Sequence, residues 1–155
     1  MGATINPMSS EASLSSTRLL ENNWIAVTPA KVAVLNALQR SSQRHLSAEQ
    51  LCAAMLENGE LPGISTLKNA IYELASFGVL SRVLVQEKKN RIQTFYELAN
   101  QSSHRHLYCV RCGSIDEVFD EDFERTLLKH FSAHGLRAAN VDLAMVGICS
   151  SCADR

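Results

Sequence analysis

Apolar residues recur at intervals of three and four positions through the first half of the chain, a pattern typical of amphipathic helices. A short helix is predicted from Ser13 to Asn23. The next helix is expected to begin at Pro29, because proline suits the first helical position and Thr28 offers an N-cap oxygen. Its predicted apolar face consists of Val32, Leu35 and Leu38.

Two more helices are predicted in the same half. Ser47 and Gln50 form a capping box, which starts the first of them. Its apolar stripe contains Ala48, Leu51, Cys52 and Met55, so Cys52 is interpreted as a core thiol. The breakers in residues 58–63 end it. The second of these helices is predicted to end near Gly78, and its apolar face contains Leu67, Ile71, Leu74 and Ala75.

Two strands follow these helices. Val79–Val85 is apolar and β-branched, and Ile92–Leu98 alternates between apolar and polar residues. The polar segment Gln86–Asn90 is predicted to be the turn between them. Helices followed by a hairpin are typical of a winged helix, in which the last helix enters the DNA major groove. Any small α+β domain remains an alternative.

The last third has a different pattern. Residues 99–103 are polar and mark a domain boundary, and short strands are predicted at His106–Val110 and Ile115–Phe119. Asp120 is expected to cap a helix that Gly135 ends. A final strand is predicted at Leu143–Ile148. The apolar face of the helix would contain Phe123, Leu127, Leu128 and Phe131.

Composition and charge exclude only a few classes of protein. The chain has 155 residues and a net charge of −1. Residues 1–98 hold nine Lys and Arg against eight Asp and Glu, and residues 99–155 hold six against eight, so neither half has a strong field. No apolar run approaches the roughly 18 residues of a membrane span, and residues 1–25 lack a secretory-signal pattern. We expect a cytoplasmic protein without a membrane partner.

Four cysteines form two CxxC pairs separated by 36 residues: Cys109 with Cys112, and Cys149 with Cys152. Two residues between cysteines allow both thiolates to reach one ion, and two such pairs complete a tetrahedral zinc site. Two disulfides or unpaired core thiols are the alternatives. Disulfides require an oxidising compartment, so the pattern favours structural Zn²⁺.

A second set of possible ligands precedes and surrounds the first cysteine pair. In an extended strand, His104 and His106 would share one face, and Glu97 and Glu117 flank them. His45 is distant in sequence. Histidines with carboxylates suit Fe²⁺, Mn²⁺ or Zn²⁺, although isolated histidines are more often surface residues.

Six segments of the chain form a combined pattern: 28–31 (TPAK), 45–51 (HLSAEQL), 64–74 (ISTLKNAIYEL), 95–98 (FYEL), 104–113 (HRHLYCVRCG) and 147–152 (GICSSC). This pattern resembles the ferric uptake regulator (Fur) superfamily of dimeric, metal-sensing bacterial transcription factors. The resemblance implies an α+β fold with a flexible segment at residues 1–11, a winged-helix DNA-binding domain at 12–98, a hinge at 99–103 and an α/β dimerisation domain at 104–155.

The resemblance also implies roles for individual residues. The four cysteines of the CxxC pairs would hold structural zinc. A regulatory ion, Fe²⁺, Zn²⁺ or Mn²⁺, would be held between the domains by His45, Glu97, His104, His106 and Glu117. A further metal site of the family has no ligand-competent residue at two of its positions, Arg105 and Val141, so we expect that site to be missing.

The expected DNA-binding residues depart from the family pattern. Lys68 and Asn69 replace the usual Tyr and Arg of the reading helix, although Lys donates to guanine and Asn pairs with adenine. Lys31 replaces an Arg that would contact phosphate. The complete predicted set is Lys31, Ser65, Thr66, Lys68, Asn69, Lys88 and Lys89.

The leading hypothesis is therefore a metal-dependent repressor that binds operator DNA as a homodimer. A metal-binding dimeric interaction protein with lost or altered DNA specificity is the alternative, and Lys68 and Asn69 motivate it. A zinc hydrolase is not favoured, because no HExxH segment or placed general base is present.

Overall fold

The computed structural model describes residues 15–59, 62–88, 90–99, 102–137 and 141–153. The predicted loose segment 1–11 and the start of the first predicted helix lie outside these residues. The described helices and strands are α1 (Ser16–Asn22), α2 (Pro29–Arg40), β1 (Leu46–Ser47), α3 (Ala48–Glu57), α4 (Ile64–Ser76), β2 (Leu80–Lys88), β3 (Arg91–Leu98), β4 (Arg105–Cys109), β5 (Ile115–Val118), α5 (Glu121–Ala133), β6 (Val141–Leu143), β7 (Met145–Gly147) and α6 (Ser150–Ala153).

The helix starts follow the predicted caps. The Thr28 side chain accepts from the Lys31 amide at the start of α2, and Ser47 and Gln50 form both bonds of a capping box at α3. Asp120 caps α5, and Gly135 ends it in a left-handed conformation. Local sequence therefore fixes where these helices begin and end.

Two clusters of buried apolar residues support the fold. The larger one joins α1–α4 to the start of β2 and includes Leu20, Leu35, Leu51 and Leu74. The smaller one contains Val83, Val85, Phe95, Tyr108 and Ala144. Because its members come from both halves of the chain, the halves pack against one another directly.

The strands form two sheets. One has the order β1-β3-β2-β6, and the other has the order β5-β4-β7. The β2–β3 hairpin matches the predicted strand pair, but β2 continues to Lys88 through an irregularity between Gln86 and Lys88. The turn predicted at Gln86–Asn90 is therefore wrong for its first three residues. Glu87, within the irregularity, accepts a hydrogen bond of 2.9 Å from the Tyr108 hydroxyl, which favours this extension.

The single strand predicted at Leu143–Ile148 is also wrong, because the chain forms two strands there. β6 pairs in parallel with β2, and β7 pairs in parallel with β4. The chain changes sheets at Ala144, which is buried and donates its amide to the Leu84 carbonyl at 2.8 Å. A small residue fits this crossing between two packed layers.

The described residues contain no helix long and apolar enough to cross a membrane.

Candidate metal centres and DNA-facing helix

The two CxxC pairs meet at one place. Cys109 ends β4, Cys112 follows in the next turn, and Cys149 and Cys152 lie at α6. Gly113 adopts φ +74, and its amide donates to the Cys109 carbonyl at 2.8 Å, which turns the chain back after the first pair. All four sulfur atoms lie within 4.8 Å of one another.

The sulfur spacing fits zinc rather than a disulfide. The Sγ atoms of Cys112 and Cys149 are 3.8 Å apart, whereas a disulfide requires about 2.05 Å. A tetrahedron with Zn–S bonds of about 2.3 Å has S···S edges of about 3.8 Å. None of the described cysteines is in a disulfide.

The thiols differ in acidity. Backbone amides of Cys149 and Cys112 lower the pKa of Cys109 to about 6, and Ser114 lowers the pKa of Cys112. Cys109 raises the pKa of Cys149, and Cys149 raises the pKa of Cys152 to about 12. Four sulfurs this close cannot all become thiolates without a cation, and Zn²⁺ supplies that charge.

The histidine and glutamate residues form a second cluster, which strand pairing assembles. Leu46 of β1 pairs with Tyr96 of β3, so His45 and Glu97 lie side by side. His106 of β4 pairs with Glu117 of β5. His104 lies two residues before His106, and their ring centroids are 4.7 Å apart.

One oxygen of Glu97 lies at the centre of this cluster. Its Oε2 atom is 3.0 Å from His45 Nε2, 3.2 Å from His104 Nε2 and 3.5 Å from His106 Nε2. Glu117 lies at the edge: its Oε1 is 3.6 Å from His45 Nε2, while Oε2 accepts from Arg44 at 2.9 Å. Ligand atoms of the first four residues lie within 4.8 Å of one another.

Three buried polar atoms of the described residues have no hydrogen-bond partner: His45 Nε2, His106 Nε2 and Glu117 Oε1. All three face this cluster. Buried polar atoms normally have a hydrogen-bond partner. Nitrogen and oxygen atoms that converge without one are suitable ligand atoms for a divalent ion. The set of imidazole and carboxylate ligands fits Fe²⁺, Mn²⁺ or Zn²⁺.

The charges in the cluster compensate one another. Burial would raise the pKa of Glu97, but the hydrogen bond with His104 and the nearby His106 and His45 rings outweigh burial and lower the pKa. Burial likewise opposes protonation of His106, yet Asp142 and Glu97 raise its pKa to about 9. A bound cation would replace this proton and meet the same anionic surroundings.

Three side-chain pairings in this region have no signal in the sequence. His106 Nδ1 lies 2.8 Å from Asp142 Oδ2. Arg105 forms a fork with Glu124, through Nε at 2.6 Å and Nη2 at 2.9 Å, and its Nη1 is 2.7 Å from Asp142 Oδ1. Arg105 is one of the two positions at which the sequence lacks a ligand for the further metal site of the family. Its guanidinium pairs with Glu124, next to the histidines. No motif or fixed spacing links Asp142 to His106.

The residues of α4 that were expected to read DNA lie on its exposed face. Ser65, Thr66, Lys68 and Asn69 are exposed, while Leu67, Ile71 and Leu74 are buried. Lys89 and the side chain of Lys88 lie outside the described residues.

Lys31 does not lie where the phosphate contact was expected. Its side chain is only 7% exposed, and Nζ lies 2.6 Å from Glu73 Oε2 and 3.1 Å from the Ala26 carbonyl. The lysine therefore ties α2 to α4, and its ammonium is engaged inside the protein. Its position in the first turn of α2 gave no sign of this, because Glu73 lies on another helix.

Known proteins share this sequence pattern and fold. The profile of the ferric uptake regulator family matches residues 22–146. The ferric uptake regulation protein of Neisseria gonorrhoeae is 29% identical over 133 residues, which is 86% of this chain and 90% of that protein. The structure of the Vibrio cholerae ferric uptake regulator is 25% identical with a TM-score of 0.67 and covers 86% of this chain and 98% of that one. The structure of a zinc uptake regulator complexed with zinc and DNA is 23% identical, covers 89% of this chain and 90% of that one, and has a TM-score of 0.60. This similarity is one of fold. The chain belongs to the ferric uptake regulator family.

Proposed function

We propose that this chain is a metal-dependent transcriptional repressor that binds operator DNA as a homodimer when a divalent ion occupies the His45, Glu97, His104 and His106 cluster. Glu117 is the proposed fifth ligand. The observation that carries the proposal is the origin of these ligands. His45 and Glu97 belong to the half that contains α4, and the others belong to the half that contains the cysteine cluster.

An ion bound by both halves restricts how they move relative to each other. Residues 99–103 are the proposed hinge between a winged-helix domain at 12–98 and a dimerisation domain at 104–155. In a dimer, the angle at the hinge sets the distance between the two α4 helices. That distance must match half-sites about one DNA turn, ~34 Å, apart. Metal and DNA affinity are then coupled reciprocally, typically by ~1–3 kcal/mol.

The homodimer is supported by apolar surface in the second half of the chain. α5 has its predicted apolar face, but Phe123 and Leu128 are 43% and 44% exposed. The described residues beyond 103 bury few apolar side chains of their own. A second copy is the occupant that we propose for this surface, since the family resemblance implies a dimer. Further exposed apolar residues in this half are Leu107, Val110, Met145, Val146 and Ile148.

The alternative of an interaction protein without DNA specificity is less well supported. The zinc uptake regulator of similar fold is complexed with DNA in its solved structure, and α4 here presents a polar, exposed face. We propose that Ser65, Thr66, Lys68 and Asn69 read the operator. Lys31 is removed from the proposed set because its ammonium is engaged by Glu73 and Ala26.

A DNA-binding assay tests the function. Fragments of the source genome are incubated with the zinc-loaded protein and Fe²⁺, Mn²⁺, additional Zn²⁺ or chelator, at one salt concentration because salt alone changes such affinities by orders of magnitude. The proposal expects at least one fragment to bind more tightly than random DNA with metal and to lose this preference with chelator. If no fragment binds better than random DNA under any condition, the interaction-protein alternative replaces the repressor.

A further inference from the structure

The two ring nitrogens of His106 have different surroundings. Nε2 faces the metal-ligand cluster and has no hydrogen-bond partner among the described residues. Nδ1 lies 2.8 Å from Asp142 Oδ2. A neutral imidazole that donates Nδ1–H to a carboxylate presents its Nε2 lone pair on the opposite side of the ring. The contact with Asp142 thus selects the tautomer that can bind an ion.

Asp142 is itself held in place. Its second oxygen accepts from Arg105 Nη1 at 2.7 Å, and Arg105 is fixed by the bidentate fork to Glu124. Glu124 also accepts from the Ser103 hydroxyl at 3.0 Å. The side chains of Asp142, Arg105 and Glu124 are 17%, 19% and 10% exposed. Each link is short and largely shielded from water, so the carboxylate has little freedom to rotate away from His106.

The backbone around Asp142 adds a second constraint. Asp142 lies on β6, and it pairs with Val83 of β2, in the half that contains α4. His106 lies on β4 of the other sheet. The side-chain contact between them joins the two sheets next to the ligand cluster.

We propose that Asp142 is a positioning residue of the regulatory metal site, which orients His106 and fixes its tautomer, and that Arg105 holds Asp142 in the required position. This inference rests on the proposed function, because it presupposes that His106 binds the ion. Carboxylates that accept from a ligand histidine typically change metal affinity by about 10- to 100-fold when removed. Neither Asp142 nor Arg105 is a proposed ligand of the ion.

The test measures Co²⁺ affinity of the full-length, zinc-loaded protein by competition with a chromophoric chelator. Asp142→Asn is expected to weaken Co²⁺ binding by about 10- to 100-fold while one zinc per chain is retained. Asp122→Asn is the matched control, because Asp122 is an exposed carboxylate of α5 that pairs only with Arg125 among the contacts described. It should leave Co²⁺ affinity unchanged.

A double-mutant cycle separates positioning from a general structural role. In a His106→Ala background, Asp142→Asn should have no further effect on Co²⁺ affinity, because the group through which it acts is gone. An equal loss in both backgrounds overturns the proposal. Arg105→Lys provides a variant that keeps the positive charge but loses the fork, and a smaller loss of affinity is expected from it.

The failure of the inference is distinguishable from that of the proposed function. If His106→Ala weakens Co²⁺ binding but Asp142→Asn stays within threefold of wild type, the site stands and the role of Asp142 is wrong. If Asp142→Asn does not fold, an Arg105→Lys protein with unchanged affinity overturns the proposal. If the His106→Ala protein binds Co²⁺ as tightly as wild type, the proposed metal site and the role of Asp142 both fail.

Discussion

Replacement of the buried Lys31 by alanine tests whether this lysine stabilises the fold or contacts DNA. The substitution removes three methylene groups from a side chain that is 7% exposed, and at about 0.8 kcal/mol each they contribute about 2.4 kcal/mol. The ammonium adds a charge-assisted contact with Glu73 and a hydrogen bond to the Ala26 carbonyl. Because the Glu73 side chain is 47% exposed, solvent screens that pair, and we assign the two contacts about 1 kcal/mol together. Lys31→Ala should therefore lower the free energy of unfolding by about 3 kcal/mol.

Urea unfolding at fixed protein and zinc concentrations measures this change. Lys68→Ala is the matched control, because Lys68 is an exposed lysine of α4, and it should change the free energy of unfolding by less than about 0.5 kcal/mol. The salt dependence of DNA binding should be the same for Lys31→Ala and wild type. Lys31 would instead contact phosphate if the Lys31→Ala protein had wild-type stability and its plot of log DNA affinity against log salt concentration had a slope smaller by about one.

Three further predictions concern zinc, DNA and pH. Cys112→Ser should release one zinc per chain, measured by elemental analysis, and abolish the dimer. The reason is that zinc supplies roughly 10–16 kcal/mol of apparent binding energy in small modules. A zinc-loaded dimer of this variant would contradict the structural role of the cysteine cluster. Lys68→Ala should weaken operator binding at least about tenfold and change random-DNA binding little, since a base contact is worth ~1–3 kcal/mol; an equal loss on both DNAs would indicate a phosphate contact instead. Metal binding must remove a proton from His106, whose pKa is raised to about 9, so metal affinity should fall as pH decreases below about 9, by up to about tenfold per pH unit. Titrations at pH 6, 7 and 8 check this, and affinity independent of pH in wild type would refute it.

Local chemistry made much of the fold predictable. The caps at Thr28, Ser47 and Asp120 and the stop at Gly135 act within a few residues, so their positions can be read directly from the sequence. The CxxC spacing likewise limits the geometry that the thiols can adopt. The proposed ligands of the second cluster could not be identified from local sequence in this way. His45 is far from His104 in sequence, and only the family resemblance placed them in one site.

The features that were not predictable depend on contacts between distant segments. The strand at residues 143–148 divides because Ala144 crosses between two sheets, and the apolar pattern alone continues through that point. The burial of Lys31 depends on Glu73 of another helix. Asp142 meets His106 only after β6 has paired with β2, so nothing near Asp142 in the sequence indicates its role.

The most direct test of the metal-bridge mechanism is the operator affinity of the His45→Ala protein with and without metal. His45 is the proposed ligand immediately before β1, and its removal leaves Glu97 as the one proposed ligand from the half that contains α4, while the cysteine cluster is untouched. His134→Ala is the control, because His134 is an exposed histidine at the end of α5. We expect metal to strengthen operator binding by roughly 5- to 150-fold in wild type and in His134→Ala, and to have no effect in His45→Ala, which should retain its structural zinc and its dimer. An undiminished response to metal in His45→Ala would contradict the claim that an ion shared by both halves controls DNA binding.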